Sequence, residues 1–311
     1  MKYIIGIDGG GTKTDCAAAD LNGNILFETK GSSSNFLVEG TEKVSEKILN
    51  LIDKCKGHLK FNYSDVEIIF IGTAGAGRRS EAIRLENSFI NYSMCKGIEF
   101  KKFIVESDAR IALEGAFTEK PGAILIAGTG SIMLGKNPEG KIFRVGGFGR
   151  QLGDEGSGYS LGRKGLNAVS KQFDGRGYPT LITEYLKEKF DIDSPEKLIA
   201  EIYRNNFDAA SIAHLVITAA ENKDAAALKI IDEEINELLL HISTMKGKLS
   251  LTKLNLCLTG GLINKENFYS EKLKEKINKN FPEIKIKPPQ NSPVVGAILM
   301  AKGLLNKGQY H

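Results

Sequence analysis

The chain of 311 residues contains no tryptophan, only four cysteines and only four histidines. Cys16, Cys55, Cys95 and Cys257 include no Cys-x-x-Cys pair, and the histidines show no ligand spacing. A disulfide framework, a zinc site and a cysteine-held iron–sulfur cluster within one chain are therefore not expected. No apolar run reaches membrane-spanning length and no leader pattern precedes the first apolar segment, which predicts a cytoplasmic protein. Neither sign of charge dominates: a net charge of +4 from 42 basic and 38 acidic residues favours a small anionic ligand slightly and is too weak to argue for nucleic acid or membrane, neither of which is expected as a partner. The pattern G-x-x-x-x-G-K-[ST] is absent as well, so phosphate binding would fall to other glycine turns.

Glycine is what the chain has in quantity, 34 residues of it, and its placement repeats. One fixed offset carries Gly11-Thr12 onto Gly128-Thr129, Gly23 onto Gly140 and Ile25 onto Ile142. Each copy reads as an apolar strand, a Gly/Thr turn, a second strand, a Gly-containing turn and a third strand. A unit used twice predicts two similar halves. In the first copy, residues 3–7 lead to Asp8 and then Gly9-Gly10-Gly11-Thr12-Lys13-Thr14, where consecutive glycines let backbone N–H groups approach an anion. Strands over 15–20 and 24–29 flank Leu21-Asn-Gly-Asn24, a hairpin signal. In the second copy, Ala123-Ile-Leu-Ile-Ala-Gly128-Thr129-Gly130-Ser131 plays the same part, with Lys136-Asn-Pro-Glu-Gly140 as its hairpin turn.

Between the copies, Gly31 to Asn35 reads as a polar loop, 41–54 as a helix, and 66–71 as a buried strand running into Gly72-Thr-Ala-Gly-Ala-Gly77. A dinucleotide fingerprint would need a further glycine where Ser80 stands, so that reading is weak. Phe103 to Gly115 is a strand turning into a helix at Ser107-Asp108. Either residue can cap that helix, while the end of a strand is also where open α/β sheets place ligands. After the second copy, eight glycines among residues 146–165 surround the acidic pair Asp154-Glu155, a composition that lets backbone approach a ligand. Residues 159–249 are mostly helical in pattern. Leu254 to Thr259 is a buried strand followed by Gly260-Gly261 and a helix start near Asn264. Pro293 to Leu305 is an apolar closing helix that returns to the first half.

These pieces together resemble the actin-like ATPase superfamily of sugar kinases, and within it the N-acetylglucosamine kinase branch of the BadF/BadG/BcrA/BcrD ATPase family. The most specific segments are Asp8-Gly-Gly-Gly-Thr-Lys13, Ser33-Ser34-Asn35, Ser107-Asp108-Ala109, Gly128-Thr-Gly-Ser131 and Leu152-Gly-Asp-Glu-Gly-Ser157. The resemblance implies an α/β fold of two actin-like (ribonuclease H-like) domains, 1–117 with the returning helix 291–311, and 118–290 with a helical insertion. It also implies an interdomain cleft that narrows on sugar binding.

By the same resemblance, the phosphates of ATP meet Gly10, Gly11, Thr12 and Lys13 on one side and Gly128, Thr129, Gly130 and Ser131 on the other. Gly260 and Gly261 border the adenosine, Asp8 holds Mg²⁺, Asn35, Phe148, Gly149 and Asp154 line an amino-sugar site, and Asp108 is the general base toward a 6-hydroxyl. A homodimer is expected on resemblance alone. Phe148-Gly149 stands where the animal enzymes carry Trp-Gly, which offers a smaller stacking surface. Two other readings belong to the same superfamily: an ATPase activator of a reductive dehydratase, needing cysteines at a subunit boundary, and a non-enzymatic sugar- or nucleotide-sensing module.

Overall fold

The computed structural model describes residues 1–205 and 207–307. The chain divides into two units, Met1–Lys120 with Pro288–His311, and Pro121–Lys287. Unit 1 opens with β1 (Tyr3–Gly9), β2 (Lys13–Ala19) and β3 (Ile25–Ser32), followed by a short α1 (Phe36–Glu39) and α2 (Thr41–Leu59). Next come β4 (Val66–Thr73), α3 (Arg79–Cys95), β5 (Phe103–Ser107) and α4 (Asp108–Phe117). Unit 2 holds β6 (Gly122–Ala127), β7 (Ser131–Lys136), β8 (Ile142–Gly146), α5 (Gly158–Phe173), α6 (Leu181–Phe190), α7 (Pro195–Arg204), α8 (Ala213–Glu221), α9 (Ala225–Leu249), β9 (Leu254–Thr259), α10 (Phe268–Asn280) and β10 (Ile284–Ile286). Finally, α11 (Pro293–Lys307) belongs to unit 1.

The two sheets share one topology. The first runs β3-β2-β1-β4-β5 and the second β8-β7-β6-β9-β10, each with three antiparallel strands joined to two parallel ones. The duplicated sequence unit is thus a duplicated meander. Its connecting turn is copied atom for atom: Gly23 and Gly140 both have positive φ, and their N–H groups donate to the carbonyls of Asp20 and Asn137. The side chains of Asp20 and Asn137 accept the N–H of Asn24 and Lys141 respectively. The turn is a type I turn closed by a left-handed glycine, so Asp20 and Asn137 organise it as much as the glycine does.

Burial follows the strand period. In β1, Tyr3, Ile5 and Ile7 join the core under α2 and α3, while Ile4 faces the layer of α4 and α11. Helix α2 buries Val44, Ile48, Leu51, Ile52 and Cys55, a stripe of helical period worth about 2 kcal/mol per large aliphatic side chain. α11 can lie on α4 because neither has a side chain where they cross: a Cβ on Gly296 would stand 2.0 Å from the Ile111 carbonyl oxygen, and one on Gly115 2.6 Å from that of Ser292. This close packing fixes α4, whose first residue is Asp108.

Two local expectations are corrected, and one contact is new. β3 extends to Ser32, because Lys13 and Thr14 pair with Ser32 and Gly31, so the polar loop is shorter than its composition suggests. The residues after Gly261 form turns, and α10 starts only at Phe268, where Asn267 accepts the Ser270 N–H. Cys55 is buried in α2, with its sulfur 3.8 Å from that of Cys16 on β2, although nothing in their spacing links them.

Candidate active site

In unit 1 the residues given roles from sequence lie on β1 and the turn after it, in the loop after β3 and at the start of α4. The Gly10 N–H donates to the Lys13 carbonyl, closing a four-residue turn whose Gly11, Thr12 and Lys13 are exposed. The following residue, Thr14, is buried, and its hydroxyl meets the Ser32 carbonyl at 2.7 Å and the Ser34 hydroxyl at 2.9 Å. The Ser34 N–H donates in turn to the Gly10 carbonyl, and the Thr73 hydroxyl donates to the Ser34 carbonyl. The turn and the Ser33–Asn35 loop are therefore one hydrogen-bonded piece. Asn35 caps α1 through Oδ1, which accepts the Leu37 N–H.

Asp8 lies on β1 opposite Asp15 of β2. Burial pushes its carboxyl up to about 7, with further upward contributions from the charges of Asp108 and Asp15 and a partial offset from Lys13. Asp15 binds Lys13 at 2.6 Å through Oδ2, whereas its buried Oδ1 accepts no hydrogen bond among the described residues. At α4 the ambiguity of Ser107-Asp108 resolves: Ser107 caps the helix by accepting the Arg110 N–H, and Asp108 accepts the adjacent Ala109 N–H through Oδ1. Burial raises the Asp108 carboxyl, against the lowering effect of those backbone donors.

The oxygens of Asp8 and Asp15 suit a hard cation, since a buried carboxylate oxygen that accepts no hydrogen bond and has the Lys30 ammonium no nearer than 4.0 Å, and the mutual repulsion of like charges, are both relieved by one. Among the described residues no three His, Cys, Asp or Glu side chains gather tightly enough to hold a metal unaided.

In unit 2 the turn after β6 is one residue shorter, with the Gly128 N–H donating to the Gly130 carbonyl and Ala127 pairing with Ser131. The first copy carries Asp8 just before its turn; the second has apolar residues there. The buried Ser131 hydroxyl donates to the Glu155 carbonyl at 2.6 Å, and the Ser131 N–H reaches Asp154 Oδ1 at 3.4 Å. The N–H groups of Gly158 and Tyr159 donate to the Gly128 and Thr129 carbonyls. A Cβ on Gly130 would stand 2.9 Å from Asp154 Oδ2, so glycine is what admits the carboxylate at this point. Asp154 itself has φ +61 and a carboxyl raised by partial burial. Gly260, at φ +97, presses on Ala127, and Leu262 N–H bonds the Ala127 carbonyl, bringing Gly261 beside Gly128.

A cavity of about 480 Å³ in unit 2 is lined by Thr129, Gly130, Gly149, Arg150, Asp154, Tyr159 and Asp208. It joins residues assigned from sequence to phosphate with residues assigned to sugar. Phe148 is 68% exposed, under the Arg144 guanidinium 5.5 Å from its ring centroid. Arg150, which lies 5.6 Å from the Tyr159 ring centroid, Tyr159 and Asp208 were not singled out from sequence. Arg150 could have been, as the cation beside Phe148-Gly149. Asp208 gives no local signal, because it caps a distant 3₁₀ turn and only the fold brings it to the cavity.

The chain is 35% identical over 308 residues to an N-acetylmuramic acid/N-acetylglucosamine kinase of Clostridium acetobutylicum, covering 97% of this chain and 99% of that one. It is 33% identical over 315 residues to an N-acetyl-D-glucosamine kinase of Dictyostelium discoideum, covering 96% and 98%. In fold it resembles a proposed N-acetylglucosamine kinase from Chromobacterium violaceum, with a TM-score of 0.77 and 24% identity over 96% of this chain and 99% of that one. A model of the BadF/BadG/BcrA/BcrD ATPase family matches residues 5–301, and the chain belongs to that family.

Proposed function

We propose that this protein is an ATP-dependent amino-sugar kinase that phosphorylates the 6-hydroxyl of N-acetylglucosamine, N-acetylmuramic acid or glucosamine. The observation that carries the reading is the unit 2 cavity, where Thr129 and Gly130 of a phosphate-type turn share one lining with the carboxylate of Asp154. The full-length relatives that phosphorylate amino sugars support it.

In this reading Asp108 accepts the proton of the 6-hydroxyl, that oxygen attacks the γ-phosphorus, and the bond to the bridging β–γ oxygen breaks to release ADP. Its raised basicity and its freedom from helix capping suit that task. Backbone N–H groups at Gly11-Thr12 and Thr129-Gly130, which the turns' own bonds leave over, neutralise phosphate charge, Gly260-Gly261 leave room for the nucleoside, and Asp8 with Asp15 would hold Mg²⁺. Bound there, Mg²⁺ supplies charge neutralisation on the phosphates. Asp154, Asn35 and the exposed Phe148-Gly149 contact the sugar, since a carboxylate accepts paired hydroxyls and an amide donates and accepts. Cys16, Cys55 and Cys257 are buried, which gives the dehydratase-activator reading no support.

ADP release measured with ATP and a panel of N-acetylglucosamine, N-acetylmuramic acid, glucosamine and glucose tests the proposal. Turnover with an amino sugar is the expected result, and no turnover with any hexose overturns it.

A further inference from the structure

α9 carries a carboxylate in a place where a leucine would pack. Glu234 is 1% exposed, on a helix that also buries Ile230, Ile231, Ile235 and Leu238, and it does not line the cavity. A buried charge of this kind costs stability unless it is paired and hydrogen-bonded on every side. Glu234 is: Oε1 meets Lys164 of α5 at 2.8 Å, and Oε2 accepts the N–H of Gly156. The other end of the same residue is held too. Tyr269 of α10, fully buried, donates its hydroxyl to the Gly156 carbonyl at 2.9 Å. Burial, and after it the charge of Glu234, push the Tyr269 phenol far up, so it stays a donor.

Gly156 is thus gripped at both its N–H and its C=O by side chains from two helices that take no part in the cavity. Its φ of +77, and the 2.3 Å that would separate a Cβ from Leu238, press the loop against α9 at this point. On one side of Gly156 in sequence stand Asp154 and Glu155, the latter bonded through its carbonyl to Ser131. On the other stands Gly158, bonded to the Gly128 carbonyl. We infer that Glu234 and Tyr269 are positioning residues, which hold the Asp154 loop and the Gly128–Ser131 turn in register by clamping the Gly156 residue from behind. Neither touches substrate; each acts through the backbone that presents Asp154. The consequence for sugar binding rests on the kinase reading above, whereas the clamp itself does not.

The test compares Tyr269→Phe, Glu234→Leu and Glu234→Gln with the wild type by amide hydrogen exchange, thermal unfolding and steady-state kinetics with N-acetylglucosamine. In Tyr269→Phe and Glu234→Leu, exchange within 149–158 accelerates at least about fivefold, and the sugar KM rises about tenfold with a smaller change in kcat. Glu234→Gln, which keeps an acceptor for the Gly156 N–H, recovers part of that KM. A fall in melting temperature with unchanged KM and unchanged exchange in 149–158 overturns the inference and leaves these residues as core packing. If Glu234→Leu does not fold, Tyr269→Phe, which removes one oxygen, decides alone. If the wild type phosphorylates no amino sugar, the kinase reading fails while the exchange data still decide the clamp.

Discussion

Thr14 and Ser131 stand at the same place in the two sheets, in the last cross-strand pair before each glycine turn, opposite Gly9 and Ala127. Both are buried, and each sends its hydroxyl to the loop that carries a proposed sugar-binding side chain: Thr14 to Ser32 and Ser34 ahead of Asn35, Ser131 to the carbonyl of Glu155 beside Asp154. In each half, then, one buried hydroxyl joins the backbone bonds that tie the phosphate-type turn to the sugar-type loop.

Removing either hydroxyl should loosen that tie. Ser131→Ala strands a partly buried carbonyl, and Thr14→Val strands the Ser32 carbonyl, at about 1–3 kcal/mol each. Sugar KM is expected to rise about tenfold in both variants, measured by initial rates at saturating ATP. An unchanged KM would show that the loops keep their places without these bonds.

Asp108→Asn should lower kcat by ~10²–10⁴-fold while leaving ATP affinity and melting temperature close to wild type, because Ser107 rather than Asp108 caps α4. Retention of most of the activity would remove Asp108 from the chemistry.

Asp8→Asn is expected to separate stability from function. A carboxyl raised on folding, from 3.8 to about 7 here, contributes stability that is full at low pH and is lost as pH climbs through that interval. At pH 8 and without Mg²⁺, the amide should therefore stabilise the protein by ~1–2 kcal/mol, and at pH 4 by close to nothing, while turnover collapses. Denaturant unfolding at the two pH values reads the difference; equal stabilisation at both would refute the electrostatic cause.

Gly296→Ala should destabilise unit 1 by at least ~2 kcal/mol, since its methyl would stand 2.0 Å from the Ile111 carbonyl oxygen. Urea unfolding checks this, and a neutral substitution would mean that α11 can shift on α4 at little cost.

Labelling the native protein with a thiol reagent should modify Cys95 alone, because Cys16, Cys55 and Cys257 are buried. Rapid reaction of Cys16 or Cys55 would contradict the packing of α2 on β2.

Much of this was legible in the residues. The shared offset of Gly11, Gly23 and Ile25 announced the repeated meander, because turns that need a left-handed glycine can be read locally. Asp108 was legible as one of two caps but not as the free one, since only coordinates show which side chain accepts the Arg110 N–H. The one-residue shortening of the second turn was hidden, because Gly128-Thr129 aligns with Gly11-Thr12 whether or not the strand before it slips by one. Arg150, Tyr159 and Asp208 reach the cavity through tertiary folding, and Glu234 looked like one more polar residue on a long helix. What local pattern cannot reveal is which polar groups end up facing each other across the fold.

The position of α11 has a consequence for biosynthesis. Its Ile298 and Val294 fill the space over Gly6 on β1, so β1, synthesised well before α11, lacks one of its covering layers until that helix emerges. The continuous segment Pro121–Lys287 can complete its own core earlier. A nascent chain stalled shortly before Pro293 should accordingly present a protease-resistant second half and a cleavable first.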